Sequence, residues 1–203
     1  MIRRSSKQYI DKLLKNNLNW KILDIGCGYT AHENATVICD VQDLSSFYKD
    51  KNFVKLDGNV LPFKDNEFDF VIASHVIEHV KDVKIFINEL SRISSKGYIE
   101  LPTILEDNLV FENKKDHFWH MEFDDIDNKL QISEKIQYLE PVITVSTSKM
   151  FSNIFRQSLV LELYWEDSIE FNLINKNKND IQKVSRLVLF RKFLSKYLRN
   201  ILR

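Results

Sequence analysis

A chain of 203 residues with 44% hydrophobic and 29% charged side chains has enough apolar mass for one full core and an ordinary globular composition. Its 29 basic and 29 acidic residues cancel, which excludes a global field drawing the whole protein to nucleic acid or membrane. No apolar run approaches a membrane span, Met1 to Lys7 is polar and basic with no signal-peptide core, and Cys27 and Cys39 are expected as free thiols in a reducing cytoplasm.

Tyr9, Ile10, Leu13 and Leu14 recur at helical spacing behind a serine and predict a helix from Ser5 to Asn16. Trp20 to Ile25 is a short apolar run that reads as a buried strand entering a glycine loop, Gly26-Cys27-Gly28. Three similar strands follow: Thr36 to Val41 with Asp40 near its tip, Phe53 to Leu56 ending at Asp57-Gly58, and Phe68 to Ala73 ending at Ser74-His75. Asp82 reads as the N-cap of a helix through Ile93, with Val83, Phe86, Ile87 and Leu90 inward. Gly97 to Leu101 is a fifth strand, stopped by Pro102. The alternation predicts a Rossmann-like α/β sheet, mostly parallel and flanked by helices, with its ligand at the carboxyl edge.

Beyond Pro102 the pattern changes. Thr103 to Lys115 is polar and reads as a loop, and His117 to Ile132 as a hairpin around residues 124–128. Ser148 to Arg156 is helical, and Leu159 to Trp165 with Ile169 to Ile174 predict an antiparallel strand pair near the C-terminus. Lys176 to Asp180 is a polar linker, and Ile181 to Leu202 a long amphipathic helix. Residues 1–179 are expected to form one domain, with 103–150 as a substrate lid, and 180–203 a basic C-terminal helix.

The chemistry concentrates at the strand tips. Glycines in Leu23-Asp24-Ile25-Gly26-Cys27-Gly28 let the backbone turn tightly and bring N–H groups to a ligand. Asp40 can accept hydrogen bonds from ribose hydroxyls, and Asp57 from an exocyclic amine. With the later Leu61-Pro62-Phe63, Phe68-Asp69, Glu78-His79-Val80 and Glu89 to Arg92, the run from Lys21 to Pro102 resembles the class I S-adenosylmethionine-dependent methyltransferases. The likeness is to the group related to ubiquinone and menaquinone methyltransferases, in a branch with a shortened first helix. It implies methyl transfer, with S-adenosyl-L-methionine as cofactor. It implies a cofactor site at Asp24, Gly26, Cys27, Gly28, Asp40, Val41, Asp57, Gly58, Asn59 and Ser74. Gly26 and Gly28 would face the methionine part, Asp40 the ribose and Asp57 the adenine. Only residues 29–36 separate the glycine loop from the next strand, so the cofactor's carboxylate side is expected to be open or covered by another segment.

Four of the five histidines fall where a substrate would lie. The string His75-Val76-Ile77-Glu78-His79 puts His75, Glu78 and His79 on one helical face. One zinc-peptidase class shares the string but carries it on a long helix that is missing here. Some quinone-pathway O-methyltransferases resembling this chain place a divalent metal in the segment. His75, Glu78 and His79 are therefore weighed as metal ligands against no metal and a plain role in bracing the turn. His117-Phe118-Trp119-His120 suits a water-excluding lid or a hairpin packed by its aromatic rings. His79, His117 and His120 are the candidate catalytic bases.

The expected reaction is O-methylation of a small-molecule, sugar or lipid-linked acceptor. The competing classes are a non-catalytic nucleotide-binding or partner-binding protein on the same fold, and an NAD-dependent enzyme. The latter fits Gly26-x-Gly28-x-x-Ala31, but its ribose acid lies about 20 residues beyond the glycines, and Asp40 comes earlier. No nucleic-acid partner is expected. The basic residues of the last helix predict either peripheral contact with anionic lipid at the inner membrane surface or packing, on the domain or in a homodimer.

Overall fold

Strict alternation along short strands decides which residues face which layer. In a computed structural model, which describes residues 1–58, 60–176 and 183–201, the strands are β1 (Ile2–Arg4), β2 (Ile22–Ile25), β3 (Val37–Asp40), β4 (Asn52–Lys55), β5 (Phe70–Ser74), β6 (Lys96–Pro102), β7 (Trp119–Asp124), β8 (Lys129–Glu134), β9 (Val160–Glu166) and β10 (Phe171–Ile174). The helices are α1 (Lys7–Lys15), α2 (Val83–Ile93), α3 (Ile104–Leu109), α4 (Asn113–Asp116), α5 (Val145–Leu159) and α6 (Arg186–Ile201). Seven strands form one sheet in the order β1-β9-β6-β5-β2-β3-β4, parallel except for β9. This is the mostly parallel, helix-flanked sheet expected.

On one face Leu23, Ile25, Val71, Ala73, Ile99 and Leu163 meet Phe86, Ile87 and Leu90 of α2, together with Leu130 and Ile132 of β8. On the other, Ile22, Phe70, Ile72, Tyr98 and Tyr164 meet Ile10 and Leu14 of α1. Gly97 is required by packing, because a Cβ there would lie 2.0 Å from the fully buried ring of Trp165. The caps are those read from sequence: Ser6 accepts from the Tyr9 N–H, and Asp82 from that of Ile85.

Three expectations change. The polar run after Pro102 forms α3 and α4, α3 being capped by Thr103. Its Glu106, Asp107 and Asn108 are buried in a hydrogen-bonded network, so polarity there does not mark an exposed loop. The antiparallel strand near the C-terminus is β9, but its partners are β6 and β1. β10 leaves instead for a three-stranded sheet, β10-β8-β7, where it runs parallel to β8 beside the expected β7–β8 hairpin. Finally, α6 begins at Arg186; the expected helix start at Ile181, its end at Leu202 and Asp180 of the linker lie outside the described residues, as does Asn59.

Among the described residues no α-helix stands between β2 and β5. Ile38 and Cys27 are covered on that side by Leu44, Ala31, Ala35, Tyr48 and Phe53 from loops and β4.

Candidate active site

Strand order reverses between β2 and β5, and the loops leaving their carboxyl ends open the crevice that such sheets use for ligands. A cavity of about 890 Å³ lies there, on the α1 side of the sheet. The alternation that sends Leu23, Ile25, Val71 and Ala73 to the opposite core turns Asp24, Ile72, Ser74, Tyr98 and Glu100 toward the cavity. Gly26 and Gly28 adopt left-handed φ values of +65° and +47°. A Cβ on Gly26 would also come within 2.4 Å of the Val76 side chain.

The expected cofactor residues divide into two groups. Asp24, Gly26, Cys27, Gly28 and Ser74 line the cavity. Asp40, Val41, Asp57 and Gly58 occupy the tips of β3 and β4 and the turns beyond, outside its wall. Asp40 accepts from the N–H groups of Gly28 and Gln42, both at 2.9 Å, and so fixes the glycine loop against the second strand tip. Asp57 is exposed beside Lys55, at 3.3 Å, on an open edge. The crevice is thus enclosed at the glycine loop and open toward the tips of β3 and β4.

Buried charges give the cavity its electrostatics. Burial pushes the Asp24 carboxyl up to about 6, although its Oδ2 accepts the His32 N–H at 2.7 Å. Burial also raises the Cys27 thiol to about 12, leaving it a neutral wall rather than a nucleophile. The His75 backbone is left-handed, at φ +54°. Its ring lies 3.3 Å from Glu78 and 3.6 Å from Glu100. Burial opposes its protonation, but the two carboxylates outweigh that and raise it to about 10. Glu100 also pairs with Arg156 of α5 at 2.7 Å, and Arg156 reaches Glu162 at 3.0 Å. These pairs tie α5 to the sheet floor.

The candidate bases separate by position. His79 and His117 line the cavity with their rings 4.5 Å apart, edge to face. His79 Nδ1 meets the Asp116 carbonyl at 2.9 Å, and His117 Nδ1 meets Asp107 Oδ1 at 2.5 Å. Facing a carbonyl and a carboxylate, each Nδ1 is the donor of its pair. His120 is 2% exposed and outside the cavity wall, packed on Tyr138 with Nε2 2.8 Å from Asp107. Burial disfavours the Asp107 charge, yet His117, His120 and Lys135 hold its carboxyl far below the usual range.

Glu78, His79 and His117 each offer one ligand atom within 4.8 Å of the others. Both Glu78 oxygens are buried, one of them 3.3 Å from the His75 ring. The structure thus groups Glu78 and His79 with His117, whereas His75 turns between Glu78 and Glu100. Asp107, Glu106, Glu100 and Arg156 carry this arrangement and were not singled out from sequence. The one signal for the first pair was Thr103 followed three residues later by Glu106, the signature of a helix start.

A reversed strand in an otherwise parallel sheet, with a glycine loop at its switch point, defines the Rossmann-like methyltransferase class of fold. A family model described as a methyltransferase domain matches residues 23–99. An uncharacterized protein of Methanocaldococcus jannaschii is 30% identical over 188 residues, 82% of this chain and 78% of that protein. The ubiquinone biosynthesis O-methyltransferase of Pelagibacter ubique is 34% identical over 104 residues, 44% of this chain and 42% of its own. Among solved structures, a SAM-dependent methyltransferase from Aquifex aeolicus is similar at 16% identity and a TM-score of 0.41, covering 76% of this chain and 87% of that one. Residues 23–99 belong to the methyltransferase domain family, and the enzyme class and the S-adenosylmethionine cofactor follow for the domain they form.

Proposed function

We propose that the enzyme methylates a hydroxyl group of a polar acceptor, a sugar or a lipid-linked sugar among the small molecules it could take, with His117 as the base. The observation that carries this reading is His117 on the cavity wall with Asp107 at its Nδ1. Bound S-adenosylmethionine supplies a methyl group already activated by its sulfonium. The acceptor oxygen forms the new O–C bond as the C–S bond breaks, and the hydroxyl proton passes to His117 Nε2. Asp107 fixes the tautomer and stabilises the imidazolium that results, a role that needs a carboxylate held ionised. The wall beyond is polar, with Asn113, Ser148, Ser152, Asn153 and Arg156, which suits a hydroxyl-rich acceptor better than an apolar ring. The experiment is transfer of radiolabelled methyl from the cofactor into polar and lipid extracts of cells. Label stable to mild alkali is expected, as for an ether; label released as methanol would mean a carboxyl acceptor and overturn the reading.

A second reading, in which a divalent cation assists, is favoured by the Glu78 carboxylate, buried close to His79 and His117. Glu78, His79 and His117 are the residues that would hold it, and Asp107 and the Asp116 carbonyl already orient the two imidazoles as ligand rings require. Such an ion would lower the pKa of an acceptor hydroxyl. Near-stoichiometric zinc or a similar ion by elemental analysis, lost in Glu78→Gln, is the expected result on this reading. Full activity after metal removal would leave His117 acting alone.

α6 extends the proposal to a membrane surface. None of its residues is buried, and Phe190, Phe193, Leu194, Tyr197 and Leu198 are all at least 41% exposed. Arg191, Lys192, Lys196 and Arg199 flank or oppose this apolar arc, and residues 186–201 contain no acid. That charge pattern fits an anionic bilayer, which would bring the cavity to a lipid-linked acceptor. No helix among the described residues is long and apolar enough to cross a membrane.

A further inference from the structure

A second groove, of about 450 Å³, opens beside the cavity, and His117 lines both. The rest of its wall includes Phe118 and Trp119 at the start of β7, three lysines, Lys81, Lys114 and Lys135, and one acid, Glu134. Backbone contacts fix the lysines in place. The Trp119 indole N–H donates to the Val80 carbonyl and the Phe118 N–H to the Glu78 carbonyl, both at 2.8 Å, which sets the turn carrying Lys81 against β7. Lys135 Nζ donates to Asp107 and to the Asn113 carbonyl, both at 2.7 Å, which holds α4 and with it Lys114. Lys135 is thereby neutralised by Asp107. Lys81 and Lys114 are exposed, and neither forms an ion pair among the described residues.

Resting on His117 as the base, we propose that this groove is the acceptor subsite and takes a phosphate group of the acceptor, with Lys81 and Lys114 as its cations. The glycine-loop end of the cavity belongs to the cofactor, so an acceptor with its hydroxyl at His117 extends the other way, into the adjoining groove. Lysine binds phosphate as a point charge, and a phosphate monoester carries about −1.5 to −2 charges at neutral pH, which two ammonium groups match. A carboxylate would leave one of them unmatched. Phe118, 42% exposed, and Trp119, held by its own N–H, offer flat apolar faces for the acceptor's ring. The phosphate stands apart from the reacting atoms, so the two lysines hold ground state and transition state alike and act on KM rather than kcat.

The test gives the full chain S-adenosylmethionine with a radiolabelled methyl group, together with polar and lipid extracts of cells, and measures phosphorus in the purified labelled product. Phosphorus is expected there, and recovery from the aqueous or the organic phase separates a free phosphate ester from a lipid-borne one. Lys81→Gln combined with Lys114→Gln should raise KM for the accepting extract fraction about tenfold or more. It should leave kcat and the affinity for S-adenosylhomocysteine within about twofold of wild type, and the corresponding pair of arginine substitutions should restore KM. A labelled product that is stable to alkali but free of phosphorus overturns the groove alone, as does a glutamine pair with KM within about twofold of wild type. Label released by mild alkali, or no transfer into either extract, overturns the hydroxyl reading and this subsite with it.

Discussion

Asp24 carries a charge into the core and is held there at a cost. Burial raises its carboxyl to about 6, against the opposing pull of His32, Lys51 and Lys7. A carboxyl whose folded value exceeds its unfolded value of about 3.9 stabilises the fold in its protonated form. That contribution is complete below the unfolded value and is lost as pH rises through about 6. Asp24→Asn is therefore expected to raise unfolding stability near about pH 8 by roughly 2–3 kcal/mol, with the gain vanishing below about pH 4. Denaturant titrations at the two pH values check this. A variant less stable at the higher pH would mean that the carboxylate's bond to the His32 N–H outweighs its desolvation. At the same scale, Gly26→Ala needs a left-handed alanine with its Cβ 2.4 Å from Val76. It is expected to destabilise by about 1–3 kcal/mol and to weaken S-adenosylhomocysteine, read by thermal shift with and without ligand.

Asp24, the two glycines and Ser74 were legible in sequence because they stand at strand tips, where chain order alone fixes their neighbours. Asp107 was not. Its partners come from four places in the chain, His117, His120 and Lys135 besides its own helix, and such convergence leaves no local spacing to read. His117 and His120 looked equivalent in sequence because both flank the same aromatic pair. The start of β7 separates them, leaving His117 on the cavity wall and His120 behind Asp107.

Elements were legible where apolar period and caps agree, as in α1, α2 and the parallel strands. α3 and α4 were missed because their inward faces are polar, and β10 was paired wrongly because a short strand does not encode its partner. α6 is amphipathic as expected, but nothing among the described residues covers its apolar arc. It is joined to the body by the Leu139–Val184 bridge and by the Arg186 N–H donating to Glu140 at 2.9 Å. The full chain is expected to float with vesicles containing about one third phosphatidylserine at low salt, each basic residue contributing about 1 kcal/mol, and to release as salt rises. Reversing Arg191, Lys192, Lys196 and Arg199 to glutamate should abolish flotation. If the full chain does not float, and Phe190→Asp instead dissolves a dimer seen by sedimentation equilibrium, the helix is a subunit interface.

At the scale of the whole molecule, glycine loop, Ser74 and the two histidines share one cavity because the loops leaving the paired strands β2 and β5 part at the switch point. The missing first helix leaves that side of the crevice to α1, and the buried network around Asp107 holds the segment bearing His117 against the same opening. On the proposed reading, cofactor site and base stand on separate elements, and removing one should leave the other intact. His117→Ala tests this most directly. Its affinity for S-adenosylhomocysteine should match wild type within about twofold, while methyl transfer to the extract acceptor falls by about 10²–10⁴. Turnover within about threefold of wild type would contradict His117 as the base.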